Sequence, residues 1–295
     1  MTHAVLAGRR AVITGGSQGL GREIARAYLA AGADILICSR TTADIGTAGM
    51  ALHGEFADRR ILTFVCDIAH TDDVDRLFDY AIAKLGGFDV LVNNAGLHGA
   101  VSPLDEADWD LWCAAIAVNL IGTAYCCRRA VRHFKSRPKE DHHAKIINIS
   151  GGGATFPQRG LSAYGASKAG LVRLTETLAL EVKPFGIDVN AVAPGALLTR
   201  LSDELRAVGP ERIGAAQHAK VEEIYRNGGM SLARAAGLCV YLASFQSDEI
   251  SGRLISAPWD PWPFSETIAG ELAPSDIYTL RRILPKDRGN FWSEK

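Results

Sequence analysis

The chain has 295 residues, 47% of them hydrophobic and 22% charged, which excludes disorder, collagen and fibrous repeats. Lysine and arginine total 32 against 33 acids, and a formal charge of −1 leaves no electrostatic footprint for nucleic acid or an anionic membrane. A small-molecule partner is the default.

The opening MTHAVLAGRRAVITGG lacks a long apolar run with a cleavage site, and no window of about 18 uninterrupted apolar residues follows. The expected location is the cytoplasm. Short apolar runs rich in Ile and Val then recur: RAVIT (10–14), ADILIC (33–38), ILTFVC (61–66), FDVLVN (88–93), KIINIS (145–150) and GIDVNAV (186–192) read as strands. Between them, GREIARAYLAAG (21–32), DDVDRLFDYAIAKLG (72–86) and SKAGLVRLTETLALEV (167–182) carry apolar residues at helical spacing. Such alternation predicts an α/β fold with a doubly wound parallel sheet. Residues 196–230 lack a strand and carry mixed charge, as expected of a helical excursion over a ligand site.

From about residue 257 the pattern changes. The tail holds three of the five tryptophans and five prolines. We therefore expect one domain over 1–256 and a Trp/Pro-rich arm over 257–295 that packs on the same domain or on a neighbouring subunit. The six cysteines (Cys38, Cys66, Cys113, Cys126, Cys127, Cys239) show no CxxC spacing and mostly lie in apolar runs, so buried reduced thiols are expected. His142 and His143 in a charged loop read as solvated, and no metal site is expected.

Chemistry concentrates at two places. Thr14-Gly15-Gly16-Ser17-Gln18-Gly19-Leu20-Gly21 stands between a strand and a helix, where glycines let the backbone turn sharply and approach a pyrophosphate held at the helix N-terminus. The second strand ends Cys38-Ser39-Arg40, and a hydroxyl plus a guanidinium suit a 2′-phosphate better than the acid usual for NAD. NADP(H) is therefore favoured, with NAD(H) the alternative. Asp67 at the end of the third strand suits an adenine amino group or caps the following turn. Further on, Tyr164 and Lys168 are four apart at a helix opening, so they share a face. A phenol with a reference pKa of about 10 gains from an ammonium that stabilises its phenolate.

With Asn93-Asn94-Ala95-Gly96, Asn119 and Pro194-Gly195-xxx-Thr199 added in order, the sequence resembles the short-chain dehydrogenase/reductase family in its single-domain form, over roughly residues 8 to 256. The resemblance implies a Rossmann fold with strand order 3-2-1-4-5-6-7 and a site at the carboxyl ends of the strands. It makes Tyr164 the general acid/base, Lys168 the residue that lowers its pKa and holds the nicotinamide ribose, and Asn119 the holder of a water linking that lysine to solvent. Gly15, Ser17, Gln18, Gly19, Leu20 and Gly21 would cradle the phosphates, Ser39 and Arg40 the adenosine phosphate, and Asp67 with Ile68 the adenine. Asn94, Ala95 and Gly96 would run beside the ribose, with Asn93 bracing the central strands. Pro194, Gly195, Leu197 and Thr199 would bind the carboxamide and fix the ring face. A homodimer or homotetramer is also implied.

Three departures stand out. The family's serine thirteen residues before the tyrosine is here Gly151; either a one-residue insertion brings Ser150 into place, which we favour, or the hydroxyl is missing, with Thr155 a remote substitute. Gln18 stands where NADP-preferring members often carry a basic residue. The usual Asp-Gly-Gly closing the domain is replaced by Ser256-Ala257-Pro258-Trp259-Asp260, and those tryptophans suit a wall over the substrate pocket, a subunit contact or core packing. The expected function is NADP(H)-dependent interconversion of a carbonyl and an alcohol; the aromatic, charged tail and Arg159 in the substrate loop are compatible with a polar substrate such as a sugar or an acyl thioester, and steroid and simple alcohol substrates stay open. The alternatives are a dinucleotide-binding sensor or scaffold, and a lyase or epimerase that uses transient oxidation.

Overall fold

The computed structural model describes residues 4–138 and 143–291. His142 and Trp292 of the sequence reading lie outside the described residues.

The apolar runs become seven parallel strands in the order β3-β2-β1-β4-β5-β6-β7. In chain order they are β1 (Arg10–Thr14), β2 (Asp34–Ser39), β3 (Ile61–Val65), β4 (Val90–Asn93), β5 (Ala144–Ile149), β6 (Ile187–Ala193) and β7 (Leu254–Ser256). All of β4 and β5 is buried, because helices cover both faces of a parallel sheet. The helices on the near face are α1 (Gly19–Ala30), α2 (Thr42–Glu55) and α10 (Leu232–Ala243), which bury Ile24, Tyr28, Leu52 and Leu238 in one core, α2 over β2 and β3 and α10 over β5 and β6. On the far face α3 (Thr71–Leu85) and α5 (Thr123–Lys135) bury Leu77, Phe78, Cys126 and Phe134. Helix α3 stops at Gly86, whose φ of +76° is left-handed, a conformation that glycine adopts without steric cost.

Helix α4 (Trp109–Ile116) runs into α5 through a π-helical segment, Ala117–Gly122. The whole stretch Trp109–Lys135 is long and apolar enough to cross a membrane, yet Ala115, Val118, Cys126, Ala130 and Phe134 are buried in the fold, as in a core helix. Helix α6 (Ser162–Val182) starts five residues earlier than the apolar periodicity predicts, since its first turn holds small and polar residues. The predicted helical excursion is α7 (Arg200–Val208), α8 (Pro210–Ile213) and α9 (Ala215–Arg226). Five cysteines are buried, and Cys113 is exposed, against the expectation for thiols in apolar runs: it sits on α4, of which Ala115 alone is buried.

Residues 257–291 fold back onto the same chain. Phe264 and Leu272, the latter on α11 (Glu266–Leu272), enter the core beside Tyr241. The Arg253 guanidinium donates to the carbonyls of Leu272, Ser275 and Ile277, and Leu254 N–H donates to Tyr278 O at 2.8 Å. Where the usual closing glycines are missing, Ser256 N–H donates to Asp260 Oδ2 at 2.6 Å and turns the chain out of the sheet.

Candidate active site

The carboxyl ends of β1 to β6 open into one cavity of about 890 Å³. At its β1 end, Gly15 has a φ of +65°, and a Cβ on Gly21 would run into Gly15 O and Asn94 Nδ2, so only a bare backbone closes this turn. Asn94 fastens it by donating from Nδ2 to Thr14 O and Gly15 O, each at 3.0 Å. Thr14 Oγ1 accepts from the N–H groups of Asn94 and Ala95. Gln18, the N-cap of α1, makes no side-chain cap, so the first N–H groups of the helix face the cavity uncapped. These open donors and the glycine turn fit a dinucleotide pyrophosphate.

Ser17, Gln18, Gly19 and Leu20 line this end, joined by Ser39 and Arg40 from β2 and by Asp67 and Ile68 beyond β3. Arg40 is exposed and has no ion-pair partner among the described residues. Asp67 Oδ1 accepts from Ala69 N–H at 3.0 Å, which makes it a turn cap. Pro194, Gly195, Leu197 and Thr199 cross the cavity at the end of β6, and a Cβ on Gly19 would stand 3.5 Å from Thr199 Cγ2, so the two loops face each other.

Deeper in, Tyr164 and Lys168 occupy the first turns of α6, whose start is pinned by Trp112 Nε1–H donating to Ser162 Oγ at 3.1 Å. Lys168 Nζ donates to Ile149 O at 2.7 Å and lies 5.8 Å from the Tyr164 ring centre. Asn119 sits in the π-helical segment, fully buried. Its Nδ2 donates to Leu97 O at 2.8 Å and to Ser167 Oγ at 2.9 Å, while its Oδ1 accepts from Leu97 N–H at 2.9 Å. A Cβ on Gly96 would stand 3.2 Å from that Oδ1 and 3.6 Å from Lys168 Nζ, so these residues meet without a gap. Asn93 Nδ2 bridges β4 to β5 through Asn148 Oδ1 at 2.9 Å.

The electrostatics differ from the expectation that the ammonium lowers the phenol. Burial pushes the Tyr164 hydroxyl up to about 12 and the Lys168 ammonium down to about 8, because both charged forms lose water. Tyr164 therefore keeps its proton at neutral pH.

The serine position is decided locally. Gly151 packs against the Tyr164 hydroxyl, and a Cβ there would collide with it. Ser150 is still held to the sheet, its N–H donating to Val192 O at 2.8 Å. Its Oγ is buried, lies at the cavity wall and has no hydrogen-bond partner among the described residues. Thr155 and Trp259 also line the cavity; Arg159 packs instead beside Gly214, and Trp262 donates to Ala257 O at 2.9 Å and stacks under Arg234.

One residue escapes the sequence reading altogether. His98 is buried at the cavity wall, its ring edge-on to Tyr164 with centroids 5.0 Å apart and planes at 72°. Its Nδ1 lies 3.7 Å from Glu204 Oε2 on α7, and this neighbour, with Arg200, holds the Glu204 carboxyl below the usual carboxylate range. A single histidine in a loop carries no periodic signal; its position two residues beyond Gly96, at the end of a strand that faces the site, is the cue available in the sequence.

The profile of the short chain dehydrogenase family matches residues 9–208. 3beta-hydroxysteroid dehydrogenase 1 of Eggerthella lenta is 36% identical over 247 residues, 84% of this chain and 91% of that protein. The L-fucose dehydrogenase of Oryctolagus cuniculus is 33% identical over 240 residues, 81% of this chain and 80% of the relative. Among solved structures, a gluconate 5-dehydrogenase from Burkholderia cenocepacia in complex with NADP and tartrate superposes with a TM-score of 0.74 at 29% identity, covering 86% of this chain and 95% of its own.

Proposed function

The chain belongs to the short-chain dehydrogenase/reductase family and is an oxidoreductase acting on CH–OH groups, and from that premise we propose that it reduces a carbonyl on a polar substrate with NADP(H), Tyr164 giving the proton. The carrying observation is Tyr164 on the cavity wall with the buried Lys168 and Asn119 beside it, at the far end of a glycine-lined cavity. A bound nicotinamide supplies the hydride that goes to the carbonyl carbon. Tyr164 delivers its proton to the carbonyl oxygen, and the phenol holds that proton at neutral pH until the transfer. Lys168, anchored on Ile149 O, places its ammonium beside the phenolate left behind and towards the ribose. Asn119 braces Ser167 and Leu97 and so fixes the lysine's helix against the loop after β4.

Ser150 brings its hydroxyl at this wall to the substrate oxygen, supported by its Oγ being buried and without a partner among the described residues. Arg40, unpaired at the end of β2, takes the 2′-phosphate, supported by the NADP complex of the gluconate dehydrogenase. A sugar-like substrate agrees with the names of two of the relatives, although the steroid enzyme's name widens the range. The exposed Trp109, Leu111, Ile121 and Leu180 on α4 to α6 support a homo-oligomer, and the contacts of Phe264 and Leu272 support an arm from residue 257 onward that serves the preceding domain.

The test is NADPH consumption over a panel of ketones, aldehydes and sugars, with NADH in parallel; reduction of at least one class with NADPH preferred is the expected result. Gly151 at the serine position favours one second reading, a dinucleotide-binding sensor with little turnover. Tight NADPH binding without reduction of any panel member would select it.

A further inference from the structure

Two buried polar groups flank the Tyr164 hydroxyl without hydrogen-bond partners among the described residues: Ser150 Oγ and His98 Nδ1. Ser150 serves the reacting oxygen in the reading above. His98 has no task in it; Glu204 stands 3.7 Å from its Nδ1, and a buried imidazole held at that nitrogen on a cavity wall leaves its other nitrogen, Nε2, for a ligand. The surrounding wall is mostly apolar, with Leu161, Val221, Ile224 and Met230 on it, so a single imidazole there discriminates strongly.

We propose that His98 is a specificity-determining residue that hydrogen-bonds a second oxygen, carried on the carbon next to the reacting carbonyl, and that the substrate class is therefore an α-hydroxy ketone or its reduced diol. The inference rests on Tyr164 performing carbonyl chemistry. The edge-on packing of the two rings, 5.0 Å between centroids, puts the imidazole beside the residue that gives the proton, within reach of a substituent next to the reacting carbonyl. Glu204, 3.7 Å from Nδ1, orients the ring from the side away from Tyr164's substrate. The charged groups facing His98 are Glu204 and, through it, Arg200, 3.5 Å from the other carboxylate oxygen.

The test compares 2-hydroxycyclohexanone with cyclohexanone, matched in ring and differing in one hydroxyl, using NADPH and the full-length protein. Wild type is expected to favour the hydroxy ketone in kcat/KM by roughly tenfold or more, most of it in KM. In His98→Phe, which keeps an aromatic ring against Tyr164, that ratio is expected to fall to about one, and His98→Gln, with an amide donor, to restore part of it. Both rates come from one preparation, so the ratio is independent of how much of a variant is folded. An undiminished ratio in His98→Phe overturns the assignment, and so does equal use of the two ketones by wild type, while each leaves carbonyl reduction standing. Reduction of neither ketone by wild type overturns the α-hydroxy ketone assignment, while the carbonyl reading stands or falls on the wider panel of ketones, aldehydes and sugars.

Discussion

The two ends of the cavity are built on different principles. At the β1 end the backbone does the recognition: Gly15 and Gly21 leave no space for side chains, Asn94 ties the turn, and uncapped N–H groups of α1 point outwards. At the α6 end side chains do it, and several are left with polar atoms unmatched by the protein, as at Ser150 and His98. A backbone site needs glycines at fixed offsets, which a sequence displays openly. A side-chain site can draw its members from any loop that the fold brings near.

Variants can break that contrast, beginning with the largest effect. Tyr164→Phe removes the proton donor and is expected to cut turnover by about 10³–10⁴, with NADPH affinity by fluorescence titration nearly unchanged; retained turnover would mean that the proton comes from elsewhere. Ser150→Ala is expected to cost on the order of 10² in kcat, typical of a lost donor at a reacting oxygen. If kcat holds, backbone N–H groups at Gly151 to Gly153 serve that oxygen instead, and the substrate end uses backbone after all. Arg40→Ala is expected to weaken NADPH by roughly tenfold to a hundredfold and NADH hardly at all, read by paired titrations. An equal loss of both would remove the 2′-phosphate from its role.

The smallest effect concerns pH and stability. The folded Lys168 titrates near 8, below its ordinary value of 10.5, so between these values the unfolded chain binds more protons and stability rises with pH. Tyr164, raised from 10.0 to about 12, acts oppositely only above pH 10. In chemical denaturation from pH 8 to 10, Lys168→Met is expected to lack a rise of about 1 kcal/mol per pH unit that wild type shows. Parallel slopes in the two proteins would contradict a buried, reluctantly charged ammonium.

How much of this was legible follows the same division. The sheet order, the glycine turn and the Tyr164–Lys168 spacing were readable because periodicity and offset encode them. Strand ends moved by a residue or two, and α6 began earlier, since polar first turns carry no apolar signal. His98 and Glu204 are 106 positions apart in the numbering and meet only through the packing of α7 over the loop after β4. Arg159 was expected near the substrate and packs beside Gly214 instead, because loop path rather than residue type sets where a guanidinium goes. The lowered tyrosine was the natural expectation from one neighbour, whereas burial acts on both partners and depends on the whole fold.

The π-helical segment Ala117–Gly122 carries a further consequence. Such a segment is a helix with a residue more than its regular winding would hold, so α4 and α5 are phased to each other by a count of residues rather than by any one side chain. Deleting a single residue there would let the segment relax to regular α winding, keeping the flanking helices in phase but shifting the residues within it by one position and so moving Asn119 off Ser167. The segment is a vernier between the chemistry on one side and the packing on the other: conservative exchanges of its apolar residues leave the alignment intact, while any change in its length is disabling.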